Sequence, residues 1–275
     1  MGNLAEDTAV EGGDGRFVAR LSDAWEIWGP NGGYLASVAL RAAGAHSAFD
    51  RPATFTCHYL SVARFDEVQI DVRTLRRAKR AESVAVTISQ DDVHVLEALV
   101  WLVADGDGLA HDFAPMPDVE HHATLPHIRD LLPPDAPQPP FKFWLNFDHK
   151  PFEFVLDPAD RAVGEARFRG WYRYADQATF DDPLVDACRS LVLLDTMSWP
   201  AAVRAHPWPL PWMAPSLDLA VQFHRAAPQS EWLLVEAVAP VAEDGLIGFR
   251  ANVWSDDGRL LGSGSGQLLC RPVPG

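Results

Sequence analysis

Apolar and polar residues alternate strictly along Val68-Gln69-Ile70-Asp71-Val72-Arg73-Thr74, the period of a half-buried strand. Thr54 to Leu60, Val84 to Ser89 and Glu97 to Val103 are equally β-prone, and Gln90-Asp91-Asp92 supplies a turn between the last two. Ahead of these strands, Leu35 to Ala43 is rich in helix formers and apolar nearly all round. A helix without a polar face is buried on most sides. Trp28 to Tyr34 reads as the turn before it, and Gly44 as its C-terminal stop.

The second half of the chain repeats this order. Pro183 to Arg204 predicts a helix centred on Leu191-Val192-Leu193-Leu194-Asp195. Strand patterns follow at Ser216 to His224, Trp232 to Val238, Phe249 to Ser255 and Arg259 to Leu269, with a turn at Asp256-Asp257-Gly258. Tyr59 to Ala63 pairs with Phe223 to Ala227, and Ser89 to Asp92 with Ser255 to Gly258, at offsets that differ by two residues. Two copies of a long buried helix followed by an antiparallel sheet therefore define an α+β architecture. Each sheet must curve around its helix to bury so many faces.

Eight of the 22 prolines fall between Pro115 and Pro140, a stretch with little periodicity that reads as a connector. The expected units are residues 1–105, a proline-rich connector over 106–140, and residues 141–275. Lys and Arg number 23 against 38 Asp and Glu, a formal net charge of −15. So acidic a chain repels phosphate backbones, and no nucleic-acid partner is expected. Cys57, Cys188 and Cys270 are odd in number and widely spaced, which argues against a disulfide framework and against a cysteine metal site. Val95 to Ala104, the most apolar stretch, is too short for a membrane span, and the N-terminus lacks a signal core. These features predict a cytoplasmic protein.

Several segments together resemble the bacterial acyl-CoA thioesterase II family, whose members are double hot-dog proteins. They are Gly29 to Ala36, Cys57-His58-Tyr59-Leu60 with Ala63-Arg64, Leu194-Asp195 with Trp199-Pro200, Ser216-Leu217-Asp218, Gln222 to Arg225, Glu231 to Leu234, and Asp257 to Leu261 leading to Gln267. The resemblance implies two tandem hot dogs, each a long central helix wrapped by a curved antiparallel sheet. It implies hydrolysis of acyl-CoA to free acid and CoA by a water that an Asp, a Thr or Ser and a Gln orient. By position these are Asp195, Ser216 and Gln267. Gln267 stands one residue beyond the aligned slot, which holds Gly266, so a β-bulge among the neighbouring glycines is required to turn it inward. The resemblance implies no cofactor, an acyl-CoA substrate, and room for a homo-oligomer.

The residues themselves point the same way, with alternatives open. Asp195 lies in an apolar helix, where a carboxylate is costly unless paired or solvated in a cleft. Gly32 and Gly33 leave backbone N–H groups open at a helix N-terminus, suited to an oxyanion, or else merely permit close packing. His58 is a candidate to line the thioester site, or a core histidine. Arg73, Arg76, Arg77, Lys79 and Arg80 form a basic hairpin that either meets coenzyme A phosphates or balances the acidic surface. A hot-dog enoyl-CoA hydratase or dehydratase, built on His58 or His224 near Asp195, is one alternative function. A non-catalytic acyl-ligand binding protein is the other.

Overall fold

In the computed structural model, which describes residues 1–273, two helices lie against one another and a single sheet wraps them both. After the short helix α1 (Leu4–Asp7) come β1 (Glu11–Gly13) and β2 (Arg16–Arg20), then helix α2 (Gly32–His46). Strands β3 (Arg51–Tyr59), β4 (Glu67–Arg77), β5 (Ala81–Gln90) and β6 (Val93–Val103) complete the first half. The chain then crosses a region whose only α-helix is α3 (Ile128–Leu131), between short 3₁₀ turns at His122–Thr124 and Lys142–Asn146, and re-enters the sheet as β7 (Phe147–Pro151) and β8 (Arg167–Tyr174). Helices α4 (Pro183–Thr196) and α5 (Ser198–Val203) precede β9 (Trp212–Met213), β10 (Asp218–Phe223), β11 (Leu233–Glu243), β12 (Leu246–Ser255), β13 (Leu260–Leu269) and β14 (Arg271–Pro272).

The twelve-stranded sheet runs β1-β2-β4-β5-β6-β3-β10-β13-β12-β11-β8-β7. Read outward from the central β3–β10 pair, both halves follow one order, so the internal repeat is a repeat of topology. The central pair is antiparallel, with Asp218 opposite His58 and Gln222 opposite Thr54. This is the hot-dog arrangement, present twice in one chain.

The two long helices run antiparallel, because Gly33 lies on Val192 at one end and Gly44 on Leu184 at the other. A side chain at Gly33 would place its Cβ 2.6 Å from the Val192 Cα, so only glycine permits this approach. Gly44 therefore serves helix packing and not termination; α2 continues to His46. Both helix starts are capped by side chains. Asn31 accepts the Tyr34 N–H, and Asp182 accepts those of Leu184 and Val185 with Pro183 in the first turn. The predicted continuous helix to Arg204 breaks at Met197. Pro200 has no N–H to give Thr196, and its ring would crowd that carbonyl, so the chain turns into α5.

The long stretch between the halves is not a free linker. Met116, Val119 and Leu125 pack with Phe152 and Leu260 on Trp171, Trp232, Leu234 and Trp254, a second apolar cluster on the sheet's outer face. His122 stacks on Trp232 with ring centroids 5.3 Å apart, and Lys150 Nζ donates to the His122 carbonyl at 2.7 Å. Beyond it, the turn Lys142–Asn146 buries Phe143 edge-on against Trp25, which itself stacks on Tyr34 of α2. The end of this crossing thereby reaches the N-terminus of α2.

Candidate active site

The C-terminal end of α4 meets the N-terminal end of α2 because the helices are antiparallel, and a cleft of about 430 Å³ opens beside that junction. Its walls come from the turn before α2 (Trp28 to Gly32), the end of β3 (Tyr59 to Val62), the α4–α5 junction (Asp195 to Pro200), the segment Met213 to Leu217, and Pro140, Phe141 and Trp144. Most of this wall is apolar or aromatic. Five distant stretches of sequence thus converge on one carboxylate.

Asp195 is 4% exposed, and both of its oxygens are engaged. Oδ2 accepts the Gly33 N–H at 2.8 Å, and Oδ1 accepts the Ser216 Oγ–H at 2.8 Å. The first bond places the carboxylate on the positive end of the α2 dipole, which favours its charge. Burial works in the opposite direction and wins: it pushes the Asp195 pKa up to about 6, while the bonds from Ser216 and Gly33 and, least, the nearby Tyr59 hydroxyl hold it from rising further. A carboxylate so poised is ionised at neutral pH yet basic enough to take a proton.

The surrounding polar groups fix these atoms. Asn31 Nδ2 donates to Thr196 Oγ1 at 3.0 Å, and Thr196 in turn donates to the Val192 carbonyl, tying the start of α2 to the end of α4. Ser198 Oγ donates to the Asp195 carbonyl at 2.6 Å. Ser216 lies just before β10, opposite Leu268 in an isolated bridge, and the neighbouring Leu217 carbonyl accepts the Tyr59 N–H. Gly32, at the first position of α2, lines the cleft, and among the described residues its N–H has no acceptor. A Cβ at Gly32 would stand 2.8 Å from Asp195 Oδ2 and 3.1 Å from Tyr59 Cζ, so the bare glycine lets carboxylate, phenol and N–H share one corner.

The structure brings together Asp195, Ser216, Gly32 and Gly33 but leaves out Gln267 and His58. Gly264 faces Leu194 of α4, and the two-residue period of β13 then turns Gln267 to the outer surface, across from Gly248. The only irregularity between β12 and β13 lies before the glycines, between Val253 and Trp254, so no bulge reverses Gln267. On β3, Cys57 is buried and Tyr59 enters the cleft, so the same alternation exposes His58. Gly33, for its part, has already given its N–H to Asp195. His224 is exposed as well and pairs with Ser263 on the outer face, 2.9 Å away.

The basic hairpin is at the wrong end for the cleft. Tyr59 pairs with Leu96 at the start of β6, which puts Gln90 and Glu67 at the cleft end and the 77–81 turn at the other. At about 3.3 Å per residue, the ten residues from Glu67 to Arg77 separate them by roughly 30 Å. Arg77 is paired with Glu82 there. Arg271 is the cationic side chain that does line the cleft.

Two family models together cover most of the chain. Residues 21–103 match the model of the acyl-CoA thioesterase N-terminal domain, and residues 126–269 that of the acyl-CoA thioesterase C-terminal domain. No curated protein matches the chain. Among solved structures, a conserved hot-dog protein from Alicyclobacillus acidocaldarius shares 20% identity at a TM-score of 0.78, over 98% of both chains. The tesB protein of Mycobacterium avium subsp. paratuberculosis shares 20% at 0.75, again over 98% of both. An acyl-CoA thioesterase II from Mycobacterium marinum shares 18% at 0.74, over 99% of this chain and 98% of that one. At these identities the structures show a common fold.

Proposed function

Since the chain belongs to the acyl-CoA thioesterase family and is a thioester hydrolase, we propose that Asp195 is the general base of its water and Ser216 the group that orients it. The observation that carries this reading is the Ser216–Asp195–Gly33 chain of hydrogen bonds at the wall of an apolar cleft. Ser216 donates its one proton to Asp195, so its oxygen is free to accept from water. A water donating to both Ser216 and Asp195 has a lone pair left for the thioester carbonyl carbon.

As that C–O bond forms, the water proton passes to Asp195 and the carbonyl oxygen becomes an oxyanion. The free Gly32 N–H, at the positive end of α2, is suited to receive it. Collapse of the intermediate breaks the C–S bond, and the departing CoA sulfur takes the proton back from Asp195. Free acid and CoA result. Among the described residues no histidine lines the cleft, which favours this reading over a hydratase built on His58 or His224. Arg271, at the rim, offers positive charge to CoA phosphates in an otherwise acidic protein.

The acyl group belongs among Leu35, Trp144 and Trp199. Trp199 also walls a second cavity of about 420 Å³, lined by Ala202, Val203, Leu210 and Ile247. Acyl length is then set where that indole closes the cleft. Release of CoA thiol from short, medium and long acyl-CoAs tests the assignment: Ser216→Ala should lower kcat by 10- to 100-fold, and an unaffected kcat would remove Ser216 from the water site.

A further inference from the structure

The phenol of Tyr59 is anomalous. Its hydroxyl is buried and, among the described residues, makes no hydrogen bond of acceptable geometry, although it lies beside Asp195 and Cys57. A buried hydroxyl without a partner is destabilising, and phenylalanine would fill the same space without that cost. The hydroxyl is therefore out of place as packing. It is well placed as a donor awaiting something that enters the cleft.

The remaining donors of the cleft narrow the choice of what it awaits. Gly33 has given its N–H to Asp195, and Asn31, Thr196 and Ser198 are engaged with Thr196, Val192 and Asp195. Gln267 is on the outer face of the sheet. One backbone donor remains at the helix terminus, that of Gly32, and the Tyr59 ring abuts the same glycine. Oxyanion sites hold their charge with donors aimed at one point from more than one direction.

We propose that the Tyr59 hydroxyl is a catalytic donor to the oxyanion, completing with the Gly32 N–H a two-donor site. The proposal rests on the thioesterase reading above. In the resting protein the phenol stays protonated, since burial and the Asp195 charge both raise its pKa well above the usual value. It gives a hydrogen bond and keeps its proton, so Asp195 alone carries the proton from water to leaving thiol. The hydroxyl finds its full partner only as charge develops on the carbonyl oxygen, which lowers the barrier more than it tightens substrate binding.

Tyr59→Phe, measured in the full chain by CoA thiol release with Asp195→Asn alongside, decides the matter. We expect kcat to fall by about 10²- to 10³-fold with KM within about threefold of wild type, the usual cost of losing one oxyanion donor. The melting temperature should not fall, because the lost hydroxyl had no partner to lose. The acid limb of the pH–rate profile should move only slightly upward, because Tyr59 is the smallest of the three neighbours that hold the Asp195 pKa down. An unchanged kcat overturns the proposal, as does a full plateau rate with the limb moved to higher pH, which would make Tyr59 only a support that holds the Asp195 pKa down. Inactive Asp195→Asn beside fully active Tyr59→Phe would remove this proposal alone, whereas full activity in Asp195→Asn would remove the reading beneath it.

Discussion

At the scale of single residues, the site turns on the opposition between burial and hydrogen bonding at Asp195. Burial raises its pKa from 3.8 to about 6, so the folded protein binds this proton more tightly than the unfolded chain does. Stability from this group is greatest at low pH, falls as pH rises between about 4 and 6, and above that the charge is a standing cost. Two pKa units correspond to about 3 kcal/mol as an upper figure. Activity has the opposite sign, because the base must be ionised. The kcat/KM profile is expected to fall along an acid limb with its midpoint near pH 6, checked by thiol release across pH 4–8. Asp195 was legible in the sequence because an acid in Leu191–Met197 has no business in a core without a partner. Gln267 was not, since a run of alternating glycines hides which parity faces inward. Gln267→Ala should leave turnover within about twofold, as befits an exposed side chain away from the cleft. Tyr59 gave no signal, because an aromatic in a strand reads as core.

At the scale of elements, helix packing and site geometry share one atom set. Gly33 both admits Val192 and donates to Asp195, so its substitution strikes stability and chemistry together. In Gly33→Ala the new Cβ would fall 2.6 Å from backbone that cannot move without shifting α4. The expected loss is about 1–3 kcal/mol of overpacking by denaturant unfolding, with at least a tenfold fall in kcat from the displaced carboxylate. The long strands and both central helices were readable from their periods. The β1–β2 hairpin was not, being short and glycine-rich, although Asp14-Gly15 forms its turn with both residues at positive φ. Strand β8 was missed because Gly170-Trp171-Tyr172 interrupts its alternation: Tyr172 and Tyr174 face the helices, while Trp171, between Arg169 and Arg173 on the other face, carries the outer cluster.

For the whole molecule, duplication explains the architecture and asymmetry explains the site. The two halves repeat one topology, yet the Asp195 cleft draws its acid from one helix and its backbone donors from the other. The repeat was visible as matched landmarks in the sequence. That the proline-rich crossing covers the outer face of the second half was not, because its contacts follow from Trp171, Trp232 and Trp254 and not from any period of its own. No helix among the described residues is long and apolar enough to cross a membrane. Because Trp199 stands between two cavities of similar size, Trp199→Ala should join them and shift the preferred acyl-CoA toward longer chains. Each further CH₂ buried is worth about 0.8 kcal/mol, roughly fourfold in kcat/KM. An unchanged chain-length profile would place the acyl group elsewhere.

The central claim, that a buried and destabilising carboxylate performs the chemistry, is tested most directly by Asp195→Asn assayed for turnover and for stability on the same preparation. CoA release should fall by at least about 10³-fold at pH 7.5 while the melting temperature rises, because the variant no longer buries a charge. Wild-type turnover in this variant, or its loss accompanied by a fall in melting temperature, would contradict the account and leave Asp195 a cap that holds α2 to α4.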